Sequence, residues 1–311
     1  MKFWVEADRL KDNLNNLVRG ELYSNYSLRP ISWFRVGGYA EILFIPKDEQ
    51  DLRYFLFNKP EGIPITVIGG ASNLLIRDHG IPGVVIILGK AFNHIDYIQS
   101  EKINCGASVP NKKISNFALK NNLKGFSFLS TIPGTLGGSI KMNAGAYKSE
   151  IMDIILNAKF IDTSGNTYTK SISDINYGYR KTDITDEMIC LSATLEGSLA
   201  RKDDIKQEIE QFKNYRNNTQ PIRERTGGST FKNTQNKKAW ELIRDAECNN
   251  LSVGGAMISQ RHYNFIINKG NATAYDIELL GETIITYVEK RTGIKHEWEI
   301  KIIGDGPEVL I

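Results

Sequence analysis

The sequence predicts a globular fold of mixed helices and strands, divided into two or three domains. The chain contains 311 residues, which is longer than a single small core usually requires. Its hydrophobic fraction of 41% and charged fraction of 24% are those of an ordinary soluble protein and argue against disorder or a fibrous repeat. Short apolar runs typical of buried strands alternate with segments of helical periodicity.

The first half of the chain begins with a predicted amphipathic helix over residues 1–20. Several short apolar runs then have the length and composition of buried strands, and two segments between them have helical spacing. The predicted strands cover 40–46, 65–70, 83–88 and 103–109, and the predicted helices cover 47–57 and 111–122. Interleaved strands and helices of this kind indicate an α/β arrangement at the start of the chain.

The second half contains a predicted hairpin over 158–169, turning at Ser164 and Gly165, and then a strand over 188–197. Near residue 200 the chain changes to a charged helix that runs into a polar segment interrupted by proline, which is typical of a domain junction. Beyond it the pattern predicts a helix over 238–247, a strand over 264–270, a helix from Thr273 to Arg291 capped by Gly293, and a last strand over 297–304.

Charge and cysteine content exclude several classes of function. A net charge of +3 produces no field of one sign that would indicate nucleic acid or a membrane surface. The three cysteines lie far apart without a CxxC pair, which favours a reducing compartment, and no pair of histidines has metal-ligand spacing. No apolar run is long enough to cross a bilayer, and the start of the chain lacks a signal-peptide core, so we expect a cytoplasmic protein without metal.

Two glycine-rich stretches are candidates for a cofactor site. The first places Gly69, Gly70, Ala71, Ser72 and Asn73 behind a strand, where successive backbone amides can form a nest for a phosphate. It fits neither the dinucleotide fingerprint nor the Walker pattern, and alone it is more often a tight connection. In the second, Ser130, Thr131 and Asn143 supply hydrogen-bond donors and Pro133 has a fixed φ. Its glycines, which allow backbone to approach a ligand closely, are Gly134, Gly137, Gly138 and Gly145. Together the two loops predict a large anionic cofactor.

A set of motifs in a fixed order extends over nearly the whole chain. They are WFRVGG at 33–38, GGASNLL at 69–75, IPGTLGGSIKMNAGAY at 132–147, YR at 179–180, GGSTFKN at 227–233 and EIKIIG at 299–304. In this order they resemble the bacterial UDP-N-acetylenolpyruvoylglucosamine reductases, also called UDP-N-acetylmuramate dehydrogenases. No long insertion separates Arg180 from Ser229, which favours the second, shorter subtype of that family.

The resemblance implies an α+β fold of the FAD-binding, vanillyl-alcohol-oxidase-like type, with two α+β subdomains followed by a C-terminal α+β substrate domain. Residues 1–96 and 97–204 would form the subdomains and residues 205–297 the substrate-binding domain, while 298–311 would return to the first subdomain. The implied cofactors are non-covalent FAD and NADPH as co-substrate. The implied partner is a UDP-sugar, bound by a monomer that contacts neither nucleic acid nor membrane.

The resemblance also implies the reaction, in which reduced flavin delivers hydride to the vinyl carbon of an enolpyruvyl ether of UDP-N-acetylglucosamine. Arg180 and Glu299 would stabilise the enolate-like intermediate and Ser229 would donate the proton. From pattern alone these assignments stay open. Ser229 is more often a turn residue, and Glu297 has the same alternation parity as Glu299 on the predicted strand, where both could be solvated.

The other site residues are implied in the same way. Cofactor contacts would come from the two loops together with Leu74, Ala146 and Arg225, and substrate contacts from Tyr179, Lys232 and Asn233. Lys232 is also the charge expected to assist Ser229. Arg35 and Arg225 could each neutralise a phosphate of the cofactor or substrate, or could be ordinary surface residues. His262 is expected to be structural. Two positions depart from the family pattern, since Thr234 replaces an expected proline, which could loosen its loop, and Lys141 replaces an expected arginine.

Two alternative functions remain open from the sequence. A flavoprotein oxidase of the same superfold would not need Ser229 and would typically reserve a histidine for covalent attachment of the flavin. A non-catalytic nucleotide-binding protein would use the glycine loops alone, without the trio of Arg180, Ser229 and Glu299.

Overall fold

The computed structural model describes residue 4 and residues 6–307. Residues 308–311, which end the predicted last segment 298–311, therefore lie outside the described part. Residues 1–3 and 5 of the predicted first helix lie outside it as well. That helix is shorter than expected, because it covers Ala7–Leu14, continues as a 3₁₀ turn at Asn15–Leu17, and is followed by a strand that the sequence analysis missed.

The first unit is a four-stranded sheet covered by two helices. Its elements are α1 (Ala7–Leu14), β1 (Glu21–Ser27), β2 (Tyr39–Ile45), α2 (Glu49–Asn58), β3 (Ile65–Val67), β4 (Leu74–Ile76) and β5 (Ile81–Ile86). The sheet order is β1-β2-β5-β3, in which β1 is antiparallel to β2 and the other pairs are parallel. The Asp48 carboxylate caps α2 by accepting from the Asp51 amide, as expected for a helix N-terminus.

The second unit is a five-stranded antiparallel sheet with short helices and hairpins. Its elements are β6 (Ile95–Tyr97), β7 (Lys102–Gly106), α3 (Asn111–Lys120), β8 (Leu123–Lys124), α4 (Leu136–Met142), β9 (Gly145–Ala146), β10 (Ser149–Glu150), β11 (Ile155–Asp162), β12 (Thr167–Ser171), β13 (Tyr177–Gly178), β14 (Lys181–Thr182), β15 (Met188–Glu196) and β16 (Ser198–Leu199). The sheet order is β12-β11-β15-β7-β6. Because β6 belongs to this sheet, the predicted boundary after residue 96 divides a strand.

The third unit follows the charged segment near residue 200. Its elements are α5 (Lys202–Thr219), α6 (Ala239–Asp245), β17 (Ser252–Val253), β18 (Ala256–Ile258), β19 (Ile266–Asn268), α7 (Ala274–Thr292) and β20 (Lys301–Ile303). A capping box of Thr273 and Asp276 begins α7, and Gly293 ends it with a φ of 72°. The predicted mixture of helices and strands and the individual predictions for α5, α6 and α7 are thus confirmed, whereas the predicted strand over 297–304 is reduced to β20.

The third unit is connected to the first by a strand pair and by an ion pair. β20 runs parallel to β4, with Lys301 opposite Leu74. Arg77 donates from Nε and Nη2 to the two oxygens of Glu278, a carboxylate that is almost fully buried, at 2.9 and 2.6 Å. The Asp78 carboxylate accepts from the first amides of α7. These contacts fix where the chain around residue 299 lies relative to the first glycine loop.

The described residues contain neither a membrane-spanning helix nor a cluster of metal ligands. No helix between residues 6 and 307 combines the length and apolarity that a membrane span needs. Over the same residues, no group of histidine, cysteine or acidic side chains is arranged to hold a metal ion.

Candidate active site

One cleft of about 1150 Å³ is lined by residues from all three units. Both glycine-rich loops line it, and so do Ser229, Arg180 and Glu299. Its charged lining residues are Lys141, Lys148, Arg180, Arg216, Lys238 and Lys301, against Asp186 and Glu299. Basic residues therefore outnumber acidic ones by four, whereas the whole chain has a net charge of only +3. Such a concentration of positive charge suits an anionic ligand.

The first glycine loop offers unpaired backbone donors to this cleft. In the described part of the chain, none of the N–H groups of residues 69–73 donates a hydrogen bond, although all five residues line the cleft. Consecutive unpaired amides are costly unless water or a ligand accepts from them. The loop therefore fits the pyrophosphate of a dinucleotide, and an apolar wall including Ile68, Leu88 and Ile189 fits an aromatic ring system.

The glycines of the two loops allow the loops to pack against each other. A Cβ on Gly70 would lie 2.6 Å from the Gly134 Cα, and one on Gly69 would lie 2.6 Å from the Thr135 hydroxyl. Gly134 has a φ of +96° and faces Ser72. Besides the close approach to a ligand that the sequence predicts, Gly69, Gly70 and Gly134 are needed for contact between the loops.

Replacing Gly70 with alanine should therefore separate the two loops. The added Cβ would clash with the Gly134 Cα, a backbone atom, so the loops must move apart. We expect FAD affinity to fall by at least about tenfold. The free energy of unfolding should fall by about 1–3 kcal/mol. Gly62→Ala is the control, because Gly62 has a φ of +76° but nothing within 4 Å of the added Cβ. It should lose roughly 1 kcal/mol of stability through strain and keep its FAD affinity. Unchanged FAD affinity in Gly70→Ala would contradict this role.

The second loop leads into the short helix α4, which was not predicted because its glycines are poor helix formers. Gly137 packs on Ala107, where a Cβ would lie 3.1 Å from the Ala107 Cβ. Two residues of this loop that were predicted to contact cofactor do not line the cleft. Asn143 is fully buried, and its amide donates to the Gly178 carbonyl and accepts from the Met152 amide, which gives it a structural role. The Ser130 hydroxyl is buried behind the lining without a hydrogen-bond partner in the described residues.

Arg180 lies at the turn of the hairpin formed by β13 and β14. Its φ of 55° is in the left-handed region, which is uncommon for residues other than glycine and is often found at functional sites. The guanidinium donates to Glu299 Oε1 at 2.9 Å and to the carbonyls of Asn143 and Gly145 at 3.4 and 2.6 Å. Arg180 therefore reaches the cleft with its orientation fixed by backbone carbonyls.

Glu299 is held from both sides by backbone contacts. Its amide donates to the Thr230 carbonyl at 2.8 Å, and its carbonyl accepts from the Asn73 side chain at 2.9 Å. The side chain is 14% exposed, whereas that of Glu297 is 76% exposed. Burial raises the pKa of Glu299 above its ordinary value, and the nearby charges of Arg180 and Lys232 oppose that rise. The structure thus places Glu299, and not Glu297, on the cleft.

Ser229 lies in a loop anchored on both sides of it. Gly227 packs on the ring of Phe34, leaving no room for a side chain, since a Cβ would lie 2.5 Å from that ring. Thr230 donates from its amide to the Asn264 carbonyl, and its hydroxyl accepts from the Ile266 amide. The half-buried Ser229 hydroxyl makes no hydrogen bond to any described residue and lines the cleft.

The predicted substrate residues lie beside the cleft rather than in its lining. Lys232 pairs with the exposed carboxylate of Glu297 at 3.0 Å, and its charge also acts on Glu299. The Asn233 amide donates to the Tyr179 hydroxyl at 3.3 Å, and its oxygen accepts from the Ala239 amide. The Thr234 hydroxyl donates to the Lys237 carbonyl and accepts from the Lys237 amide. These two bonds hold the loop without the expected proline.

Arg225, which was predicted to contact cofactor, is outside the lining, and so are Arg35 and His262, whereas Lys141, a departure from the family pattern, is inside it. Arg225 is exposed, and its carbonyl accepts from the Asn268 amide in a backbone pairing. The exposed Arg35 bonds the carbonyl of its neighbour Pro30. His262 Nδ1 accepts from the Asn264 amide, in agreement with a structural role. Lys141 does line the cleft, paired with Asp186 at 2.6 Å.

The sequence analysis missed several lining residues, of which Arg216, Lys148 and Tyr147 are the most informative. Arg216 follows Ile205, Ile209 and Phe212 at helical spacing, so the apolar face of α5 could have indicated that it is not a solvated residue. Tyr147 ends a recognised motif, and Lys148 follows it directly. A positively charged residue next to a glycine-rich loop is the only signal that could have indicated Lys148.

Comparison with known proteins agrees with this geometry. Residues 40–171 match a family described as an FAD binding domain, and residues 220–303 match the C-terminal domain of UDP-N-acetylenolpyruvoylglucosamine reductase. Enzymes with that reductase name from Orientia tsutsugamushi and Rickettsia conorii are 45% and 43% identical over 92% and 94% of this chain and over 96% and 98% of their own. The crystal structure of the reductase from Thermus caldophilus superimposes with a TM-score of 0.78 at 28% identity, covering 91% of this chain and 98% of that one.

Proposed function

Because the chain belongs to the UDP-N-acetylenolpyruvoylglucosamine reductase family, we propose that it reduces the enolpyruvyl ether of UDP-N-acetylglucosamine to UDP-N-acetylmuramate, using FAD and NADPH. The observation that carries the proposal is that one basic cleft contains the unpaired amides of residues 69–73 together with Ser229, Arg180 and Glu299. The product is a precursor of peptidoglycan, and we propose that the enzyme acts as a monomer in the cytoplasm.

The residues 69–73 and the facing loop at Gly134 would hold the FAD, with the loop amides donating to its pyrophosphate. When bound and reduced by NADPH, FAD supplies hydride to the terminal vinyl carbon of the substrate. Arg180 binds the substrate carboxylate, because a guanidinium fixed by two backbone carbonyls presents its remaining donors in one orientation. Negative charge that develops on that carboxylate is stabilised where it forms.

Glu299 would act as a neutral acid that donates a hydrogen bond to the enolate-like carboxylate. Its burial favours the protonated form, which is the form able to donate. The Arg180 charge favours ionised Glu299 while the two are paired at 2.9 Å. A substrate carboxylate bound to Arg180 would offset the charge of the guanidinium, so that opposing influence would weaken and the proton on Glu299 would be stabilised.

Ser229 would donate the proton to the carbon next to the carboxylate. A hydroxyl is a weak acid, so this role depends on placement against a strongly basic carbon. The anchored Thr230 on one side and the tightly packed Gly227 on the other restrict how far Ser229 can move. Its hydroxyl has no competing partner among the described residues, which leaves the proton available to the substrate.

The alternative functions are less well supported. No histidine is among the described residues that line the cleft, which disfavours an oxidase with covalently attached flavin. A protein that only binds nucleotides would have no reason to bury an arginine and glutamate pair beside a free hydroxyl.

Flavin spectroscopy without oxygen tests the proposed function. The purified protein should be yellow, NADPH should bleach it, and adding the enolpyruvyl sugar nucleotide should restore the colour in the absence of oxygen. Recovery only on admitting oxygen would favour the oxidase. A colourless protein that does not take up FAD would favour the binding protein.

A further inference from the structure

A buried histidine packs between two chain segments of the candidate site, residues 229–232 and 296–299, which we call the reaction strands. His296 is 3% exposed, and neither of its ring nitrogens has a hydrogen-bond partner among the described residues. Its ring stacks on that of Phe231, with centroids 4.8 Å apart and planes 5° from parallel. The proposed chemistry does not use this imidazole, so its burial without a partner requires another explanation.

The reaction strands are paired through their backbones. The Lys232 amide donates to the Glu297 carbonyl at 2.9 Å, and the Glu299 amide donates to the Thr230 carbonyl at 2.8 Å. Side chains alternate along a strand, so His296 projects to the face opposite Glu297 and Glu299. The imidazole therefore packs behind the paired strands, on the side away from the carboxylate that lines the cleft.

Phe231 connects the position of this ring to Ser229. It lies two residues after Ser229 and is 1% exposed. Its amide donates to the Asn264 side chain at 3.0 Å, and its carbonyl accepts from that side chain at 2.8 Å. On the other strand, His296 precedes Glu299 by three residues. The two stacked rings therefore join the reaction strands within three residues of each proposed reacting group.

The site of His296 suits only the neutral imidazole. Burial lowers the pKa of His296 to about 4, and no charged group acts on it. A protonated ring would gain some attraction to the face of Phe231. It would lose its hydration without gaining a hydrogen-bond acceptor, and that loss is the larger effect. Protonation should therefore drive the ring out of its site.

The charged side chains on the elements around this ring are engaged with other partners. The pairs are Lys232 with Glu297, Glu299 with Arg180, and Glu282 of α7 with the indole N–H of Trp298. Lys295, next to His296, is exposed. His262, the other histidine of this unit, contacts Phe265 instead. None of these groups is placed to stabilise an imidazolium at His296.

We propose that His296 is a positioning residue whose neutral ring keeps the reaction strands in register, and that protonation of the ring loosens their pairing and slows reoxidation of the flavin by substrate. The inference rests on the proposed function only for the reaction that it affects, since the pairing can be followed without substrate. An imidazole in water takes up a proton near pH 6.5, whereas the buried ring does so only near pH 4. The pairing should therefore weaken as the pH falls through 6.5 and weaken no further below 4.

Hydrogen exchange of the FAD-loaded protein at pH 7 and pH 5, measured by mass spectrometry and corrected for intrinsic exchange rates, tests the pairing. The amides of Lys232 and Glu299 should lose protection by at least about tenfold at pH 5 in the wild type. In His296→Leu this loss should disappear, because leucine has a similar volume and cannot be charged. His94→Leu is the control, since His94 is exposed and distant in the chain, and it should lose protection like the wild type.

The rate of flavin reoxidation gives a second comparison. In the wild type it should decline reversibly as the pH is lowered below about 5, and His296→Leu should not show this decline. His296→Ala removes the ring that supports Phe231, so it should slow reoxidation by about tenfold at neutral pH through misplacement of the reacting groups. Reduction by NADPH should change less, because it needs neither Ser229 nor Glu299.

Unchanged protection of the two amides in the acidified wild type, or an equal loss in His296→Leu, would overturn the proposal. So would an equal loss of protection in β15, since the whole fold and not the reaction strands would then be loosening. Failure of the proposed function has a different signature. The two amides would respond to pH through His296, but the enolpyruvyl substrate would not reoxidise the reduced flavin at any pH.

Discussion

Replacing Ser229 with alanine should slow reoxidation of the reduced flavin by the enolpyruvyl substrate by about 10²–10⁴-fold, the range for loss of a positioned general acid. Reduction of the flavin by NADPH should stay close to the wild-type rate, because that half-reaction needs no proton at the substrate carbon. The Ser229 hydroxyl makes no hydrogen bond to the described residues, so its removal leaves no orphaned partner. Stopped-flow absorbance of the flavin, with the two half-reactions started separately, measures both rates.

Ser229→Cys provides the matched variant, since a thiol keeps a transferable proton at almost the same position. It should retain more of the second half-reaction than Ser229→Ala. Equal loss of both half-reactions in the alanine variant would show that Ser229 organises the cleft rather than donating a proton. Thermal unfolding of the two variants should agree with the wild type, because the neighbouring Gly227 and Thr230 provide the anchoring contacts.

Long elements with regular periodicity could be predicted from the sequence. The apolar spacing from Thr273 to Arg291, the capping glycine and the strand at β15 all occur where expected, because each is specified by residues close together in the chain. The short helix α4 could not be predicted, since its glycines are poor helix formers and it forms through packing on Ala107.

The candidate site was less predictable, because it depends on contacts between distant segments. Alternation along one strand could not distinguish Glu299 from Glu297, whereas the hydrogen bonds from Asn73 and Arg180 do so. Gly70 was recognised as a loop residue, but its contact with Gly134 follows only from the fold. The roles assigned to Ser229, Arg180 and Glu299 stay predictions until the half-reactions are measured.

The largest effect of charge should appear at Glu299. Glu299→Ala should slow the second half-reaction by about 10²–10³-fold, as expected when a donor to a developing oxyanion is removed. Glu299→Gln should lose less, because its amide is neutral and can still donate. If the protonated acid is the active form, the wild-type rate should decline as the pH rises through the Glu299 pKa, and Glu299→Gln should not show this decline. Flavin reoxidation measured across the pH range gives both comparisons.

The contribution of Glu299 to the free energy of unfolding should also decrease as the pH rises. The pKa of Glu299 is higher in the folded chain than in the unfolded one, so its protonated form stabilises the fold. That contribution is complete below the unfolded pKa and is lost as the pH rises through the folded one, and Glu299→Gln should remove this dependence.

Glu297→Gln is the control, since it lies two residues earlier but is 76% exposed, and it should match the wild type in rate and in pH profile. A larger defect in Glu297→Gln than in Glu299→Gln would show that the cleft uses the other carboxylate, because only a group that meets the substrate can affect the rate in this way.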